Sequence, residues 1–173
     1  EMVSNMAFVV NIVSEVSNVG KTTVIEGIIK ELKNRGYSVG TIKHDAHEFD
    51  IDKKGKDTYR HREAGSETVI ISSKNRMAMI KEVENEMPLE ELLDMVSDKD
   101  FIIVEGYKKS PLRKIEVFRS GVSKNIITPK DKLICLATDT KLDIEGIEQV
   151  SINDYRKLTD CLEKLKYNDE RRC

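Results

Sequence analysis

A glycine, a lysine and two threonines stand consecutively at Gly20, Lys21, Thr22 and Thr23, a combination that suits a bound phosphate chain. In the pattern G-x-x-x-x-G-K-[ST], a loop wraps backbone N–H groups around a phosphate and the lysine adds a mobile positive charge. The hydroxyl holds magnesium, and the following helix contributes the positive end of its dipole. The window Glu15-Val16-Ser17-Asn18-Val19-Gly20-Lys21-Thr22 matches at its last three positions and departs at the first, where Glu15 replaces glycine. A side chain there stands where the backbone turns tightly, and it brings a carboxylate near the place the phosphates would take. Nucleotide affinity therefore depends on the direction of that carboxylate, which the sequence leaves open.

Other residue types around the cradle fit the same chemistry. Glu105 ends the apolar run Phe101-Ile-Ile-Val104 and is followed by Gly106; an acid at such a strand end orients a magnesium-bound or attacking water in phosphate-binding proteins. Thr140-Lys141-Leu142-Asp143 fits an [NT]-K-x-D pattern, in which the aspartate accepts from the N1–H and amino group of guanine. A solvated turn is the other reading of these four residues, and Asp139 is the competing candidate for the guanine contact. His44, His47 and His61 lie among Asp45, Glu48, Asp50 and Asp52. Their spacing is loose for a transition-metal site and suits a magnesium-rich phosphate loop better, with Asp50 and Asp52 on one side of an extended segment.

These residues need elements to hold them. Met6 to Val13 is an apolar, β-branched run, as expected of a strand buried on both faces of a parallel sheet. After the loop, Val24, Ile25, Ile28, Ile29 and Leu32 fall at helical spacing between Thr23 and Arg35, with Gly36 as the stop. Strands are predicted at Tyr37–Lys43, Thr68–Ser72, Met77–Val83, Phe101–Val104, Ile115–Phe118 and Leu133–Ala137. Helices are predicted at Gly55–Ala64, Pro88–Val96 and Asn153–Lys166. The alternation predicts an α/β fold of the P-loop nucleotide-binding kind, a doubly wound, mainly parallel sheet with helices on both faces.

Composition bounds the reading further. A chain of 173 residues has the size of one ordinary α/β domain, so residues 1–173 are expected to form a single nucleotide-binding domain. Lysine and arginine total 29 against 31 acidic residues, a formal charge of -2, which argues against a nucleic-acid partner held by bulk charge. The stretch from Glu1 to Val13 lacks a basic leader region and is too short to span a bilayer, so no export signal or membrane partner is expected. Cys135, Cys161 and Cys173 form neither a disulfide framework nor a zinc motif, which fits a reducing cytoplasm.

The loop Ser17-Asn18-x-Gly-Lys-Thr-Thr23, with Gly40-Thr-Ile-Lys-His-Asp-Ala-His47, Phe49-Asp-Ile-Asp52, Gly55-Lys-Asp57, Ala64-Gly65 and Val104-Glu-Gly-Tyr-Lys108, resembles the MobB family over most of residues 6–119. The resemblance implies a GTP-binding protein of molybdenum cofactor biosynthesis that assists a MobA-like nucleotidyltransferase in attaching GMP to molybdopterin. It also implies a homodimer, magnesium and at most slow GTP hydrolysis. By position, Ser17, Asn18, Val19, Gly20, Lys21, Thr22 and Thr23 would cradle the phosphates, Thr22 and Glu105 would serve the metal, and Lys21 and Glu105 any hydrolysis. Asp50 and Asp57 match acidic loop positions of the family, and Asp50 is the third metal candidate. Glu15 and Val19 depart from the small residues usual in this loop. Two further readings are a non-hydrolysing nucleotide- or molybdopterin-binding adaptor and a small-molecule P-loop kinase; the latter would need an acceptor pocket and an arginine-rich lid, and Arg60, Arg62 and Arg76 are available but form no compact lid motif.

Overall fold

The computed structural model describes residues 6–45 and 47–171. Residues 1–5, Ala46 of the motif ending at His47, and Cys173 lie outside the described residues. In chain order the first half holds β1 (Phe8–Val13), α1 (Lys21–Asn34), β2 (Val39–Lys43), α2 (Asp57–Glu63), β3 (Thr68–Ser73), β4 (Arg76–Lys81) and α3 (Leu89–Asp94). β5 (Phe101–Glu105), β6 (Lys114–Phe118), β7 (Leu133–Thr138), β8 (Gln149–Ser151) and α4 (Tyr155–Glu170) follow. The chain divides into two compact units, residues 1–44 with 93–173, and residues 45–92.

The larger unit is built on six strands in the order β2-β5-β1-β6-β7-β8, every neighbouring pair parallel. This is the parallel α/β sheet expected from the buried apolar runs. β1 lies near its centre, between β5 and β6, so the strand order reverses around the strand that leads into Gly20 and α1. Sequence reading missed β8, whose three residues Gln149-Val150-Ser151 are too few to show a period.

One face of the sheet carries Val10, Ile12, Phe101, Ile103, Ile115, Val117, Cys135 and Ala137, all buried with the apolar stripe of α1 and with Leu158 and Leu162 of α4. Helix α1 ends where Gly36 adopts φ 88°. There the Gly36 N–H donates to Lys33 O and the Tyr37 N–H to Leu32 O, a paired closure that needs a left-handed residue. Arg35 then fastens α1 to α4, donating to Asp160 at 2.7 Å, to the Arg156 carbonyl at 3.1 Å and to Glu163.

The other face is covered differently. Val96, just past α3, stands close against Gly40 of β2, but the connections β5–β6 and β6–β7 contain no helix. Irregular backbone has no internal ladder, so its polar groups must find other partners when buried. β6 supplies two: Lys114 Nζ donates to Ser110 O at 2.6 Å and Leu112 O at 2.8 Å, and the Glu116 carboxylate accepts from the Ile127 and Thr128 amides at 2.9 and 2.8 Å. Both side chains are fully buried. Burial pushes the Lys114 amine below its ordinary value.

The smaller unit holds α2 and an antiparallel hairpin, β3 with β4, that forms its own two-stranded sheet. Arg62 of α2 gathers three carboxylates, Glu82 at 3.0 Å, Asp50 at 3.3 Å and Asp52 at 3.4 Å. The hairpin leaves Ile70, Ile71, Met77 and Met79 exposed, the first at 62%.

Gly27 lies in the middle of α1, where a Cβ would stand 2.3 Å from the Tyr155 ring of α4. Alanine improves helix propensity over glycine by about 1 kcal/mol, but forced overpacking costs roughly 1–3 kcal/mol. Gly27→Ala is therefore expected to lower the thermal midpoint. An unchanged or raised midpoint would mean that Tyr155 swings away at no cost.

Candidate functional site

The segment from Ser14 to Gly20 leaves the carboxyl end of β1 and delivers the chain to the start of α1. Asn18 (φ 61°) and Gly20 (φ 90°) occupy the left-handed region, which bends the backbone around on itself. Among the described residues, none of the backbone amides of residues 16–23 donates to a protein acceptor. That run of donors, closed by the first turn of a 14-residue helix, is the arrangement an anion needs. Val19 is fully buried in the hydrophobic cluster, so its bulk sits beneath the loop rather than in its mouth.

The Glu15 carboxylate is turned away, toward the β6–β7 connection. Its Oε2 accepts from the Lys124 and Asn125 amides at 2.6 and 3.0 Å, and its Oε1 accepts from Asn125 Nδ2 at 2.8 Å. The Asn125 and Lys124 amides hold the Glu15 carboxyl below the ordinary carboxylate range. The side chain tolerated where glycine is usual thus has a job of its own, and Glu15 is absent from the positive-φ residues, so no glycine is required there.

Lys21 opens α1, and its Nζ stands 3.8 Å from Glu105 Oε1, both side chains about one-fifth exposed. Parallel pairing explains the meeting: β5 lies beside β1, with Glu105 in register with Ile12, so its carboxylate emerges next to the loop. Gly106 then turns with φ 87°. A Cβ there would come within 3.0 Å of the His44 Cβ and 3.3 Å of the His44 carbonyl, which restricts the position to glycine. His44 packs its ring 4.5 Å from that of Tyr107. The exposed Thr22 and Thr23 follow Lys21, and Thr23 borders a cavity of about 400 Å³ shared with Asn153 and Tyr155.

A cavity of about 580 Å³ opens at the carboxyl ends of β7 and β8, bordered by Thr138, Asp139, Thr140, Lys141, Ile144 and Gln149. Asp139 belongs to it and Asp143 does not. Ser120 donates to Asp139 through its amide at 2.8 Å and its hydroxyl at 3.1 Å. Asp50 belongs to the smaller unit, where it accepts from the Asp52 amide at 3.0 Å and pairs with Arg62. Asp57 is the first residue of α2. Among the described residues no cluster of three histidine, cysteine or acidic side chains is arranged to hold a metal ion, and no helix is long and apolar enough to cross a membrane.

Sequence reading passed over Arg119, at the carboxyl end of β6. Its Nε donates to Val19 O at 3.1 Å, and its Nη2 lies 3.1 Å from the Cβ position at Gly20. The only sequence signal was a basic residue directly after a buried strand, and this becomes informative once β6 is known to lie beside β1.

Titration of Glu15 checks the clamp. Because its folded value is depressed, the contribution to stability is present above the ordinary carboxylate range and is lost as pH falls through the lowered value. NMR resonances of the Lys124 and Asn125 amides are expected to titrate together, with a midpoint below that of an unperturbed glutamate. A midpoint at the ordinary value would show that the carboxylate is free in solution.

Residues 9–139 match the family described as Molybdopterin guanine dinucleotide synthesis protein B, MobB. A molybdopterin-guanine dinucleotide biosynthesis adapter protein of Escherichia coli is 36% identical over 151 residues, covering 83% of this chain and 85% of the relative. The adapter protein of Haemophilus influenzae is 34% identical over 149 residues, covering 85% and 83% respectively. The crystal structure of Bacillus subtilis MobB superposes with a TM-score of 0.70 at 21% identity, covering 90% of this chain and 96% of that one, and so shares the fold. With the family's sequence over most of its length and the family's fold, this chain belongs to the MobB family of molybdopterin-guanine dinucleotide biosynthesis adapter proteins.

Proposed function

We propose that this chain is a GTP-binding adapter of molybdopterin-guanine dinucleotide biosynthesis, working with a MobA-like nucleotidyltransferase that joins GMP to molybdopterin. The observation that carries the reading is the run of amides at residues 16–23 with no protein acceptor among the described residues, with Lys21 beside it. Such a surface fits a polyphosphate, and the diversion of Glu15 toward Lys124 and Asn125 removes the objection that its carboxylate would repel one. The cavity beside Asp139 offers the nucleobase a place at the same strand ends. The curated relatives carry the word adapter in their names, which favours binding and delivery over rapid turnover.

Within this reading Ser17, Asn18, Val19 and Gly20 supply backbone donors to the phosphates, Lys21 supplies the charge, and Thr22 with Glu105 would hold magnesium. Magnesium, when bound, would offset charge on the phosphate oxygens. Lys21, held near Glu105 at 3.8 Å, would exchange that partner for phosphate, leaving the Glu105 carboxylate to orient water. In this reading any hydrolysis is slow, and Lys21 and Glu105 are the residues that would serve it. Asp139, fixed by Ser120, is the better placed of the two guanine candidates. The chain acts as one nucleotide-binding domain in which residues 45–92 are an insertion in sequence between β2 and β5.

The homodimer belongs to the same proposal and is supported by the hairpin β3–β4, whose Ile70, Met77 and Met79 stand 62%, 65% and 43% exposed. Ile70 pairs with Met79 across the hairpin, so these side chains make one apolar strip of a kind that lone monomers rarely expose.

Two measurements test these readings. Calorimetric titration with GTP and ATP in magnesium is expected to show saturable GTP binding that falls roughly tenfold to a hundredfold in Lys21→Ala, since a charge-assisted contact to phosphate is worth roughly 1.5–3 kcal/mol; equal affinity in the variant would reject the cradle. Light scattering is expected to find a dimer that Ile70→Glu with Met79→Glu converts to a monomer, whereas a dimer in the variant would place the interface elsewhere.

A further inference from the structure

Six hydrogen bonds at three places attach the segment from Arg119 to Asn125 to the strand ends around the phosphate loop. At the loop's first position, the Glu15 carboxylate takes the Lys124 and Asn125 amides and Asn125 Nδ2. Near its last position, Arg119 Nε donates to the Val19 carbonyl and its guanidinium lies against Gly20. Beyond the loop, Ser120 holds the Asp139 carboxylate beside the cavity at β7 and β8. The segment is itself closed by Ser123, whose amide donates to Arg119 O at 2.8 Å and whose hydroxyl accepts from the Arg119 amide at 3.1 Å. Lys108 Nζ reaches the Glu15 carbonyl at 2.8 Å.

In the glycine-first form of this motif, the backbone makes the turn unaided. Here the left-handed positions are Asn18 and Gly20, Glu15 needs no special conformation, and the loop's two ends are held from outside instead. Holding matters because amides that are already convergent lose less conformational freedom when a ligand orders them.

We propose that Glu15 and Arg119 are nucleotide-positioning residues: by tying the Arg119–Asn125 segment across the phosphate loop they keep its amides in the shape that binds polyphosphate. Glu15 is then an asset to binding in this chain, and replacing it with the glycine of the general motif weakens nucleotide affinity. The proposal rests on the GTP-binding reading above.

The experiment is GTP titration of the full chain in magnesium for wild type, Lys21→Ala, Glu15→Gly, Glu15→Gln, Arg119→Ala and Arg119→Lys, with the nucleotide-free melting midpoint of each. Glu15→Gly and Arg119→Ala are each expected to weaken GTP binding roughly tenfold, the scale of one residue's lost backbone order. Glu15→Gln keeps one acceptor oxygen and Arg119→Lys keeps one donor, so both are expected to recover part of that loss, which a general loss of stability would not produce. Affinity in Glu15→Gly or Arg119→Ala equal to or tighter than wild type, with Lys21→Ala still defective, overturns this proposal and leaves the GTP-binding reading intact. No GTP binding by wild type overturns both. Should Glu15→Gly or Arg119→Ala fail to fold, Asn125→Ala, which removes one clamp bond from outside the loop, decides: unchanged affinity overturns the proposal and weakened affinity supports it.

Discussion

Parallel pairing of β1 with both β5 and β6 places the carboxyl ends of three strands at one end of the sheet, and the whole candidate site hangs from that end. Ile12 is in register with Glu105 on one side and Ile115 on the other. The loop that leaves β1 therefore emerges between the acid that ends β5 and the arginine that follows β6. Slipping β5 by one residue would turn Glu105 to the opposite face of the sheet and away from Lys21. The register of β2 on β5 is pinned at the other end, where Asp100 Oδ2 accepts from the Ser38 amide and hydroxyl at 2.7 Å each and Ser38 Oγ accepts from the Asp100 amide at 2.9 Å. That network also holds the Asp100 carboxyl below the ordinary range, chiefly through the Ser38 amide.

The two faces of the sheet solve burial in different ways, and the difference reaches the site. On the α1/α4 face, aliphatic side chains pack in layers. On the other, β6 buries Lys114 and Glu116, whose charged ends satisfy the backbone of segments that have no helix. Asn11 of β1 joins them, donating through Nδ2 to the Tyr107 carbonyl at 3.1 Å and Ser110 Oγ at 2.9 Å. Buried charges give little net stability but cost several kcal/mol when one partner is removed, on the order of 3–5 kcal/mol for a buried pair, so they act as pins. The pinned segments are those that follow Glu105 and Arg119, and the charges of β6 thus set where two of the site's side chains begin.

Glu15 shows how a departure from a motif can be read wrongly without its surroundings. A carboxylate in a phosphate loop is repulsive if it faces the ligand. Turned outward onto three N–H donors, it ties the loop to its neighbour, and the same segment carries the bonds to Val19 and Asp139. The loop after β1 and the cavity at β7 and β8 are thereby linked through one short connection.

Much of this protein was legible along the chain. The strand before Gly20, the stripe on α1, the acid at the end of Phe101–Val104 and the family resemblance all rest on spacings of a few residues, where the periods of helix and strand act directly. The parallel α/β class followed from those same short patterns. The direction of Glu15, the contact of Arg119 with Val19 and the choice of Asp139 over Asp143 as a cavity residue were decided only by tertiary structure. Those bonds join residues 109 and 100 positions apart in the first two cases. The hairpin β3–β4 read as two strands, but its separation into a sheet of its own was likewise invisible. Local periodicity states that a strand exists and which residues alternate along it, while partner, order and register depend on chain closure across the whole sheet, and the side chains at strand ends take their meaning from those neighbours.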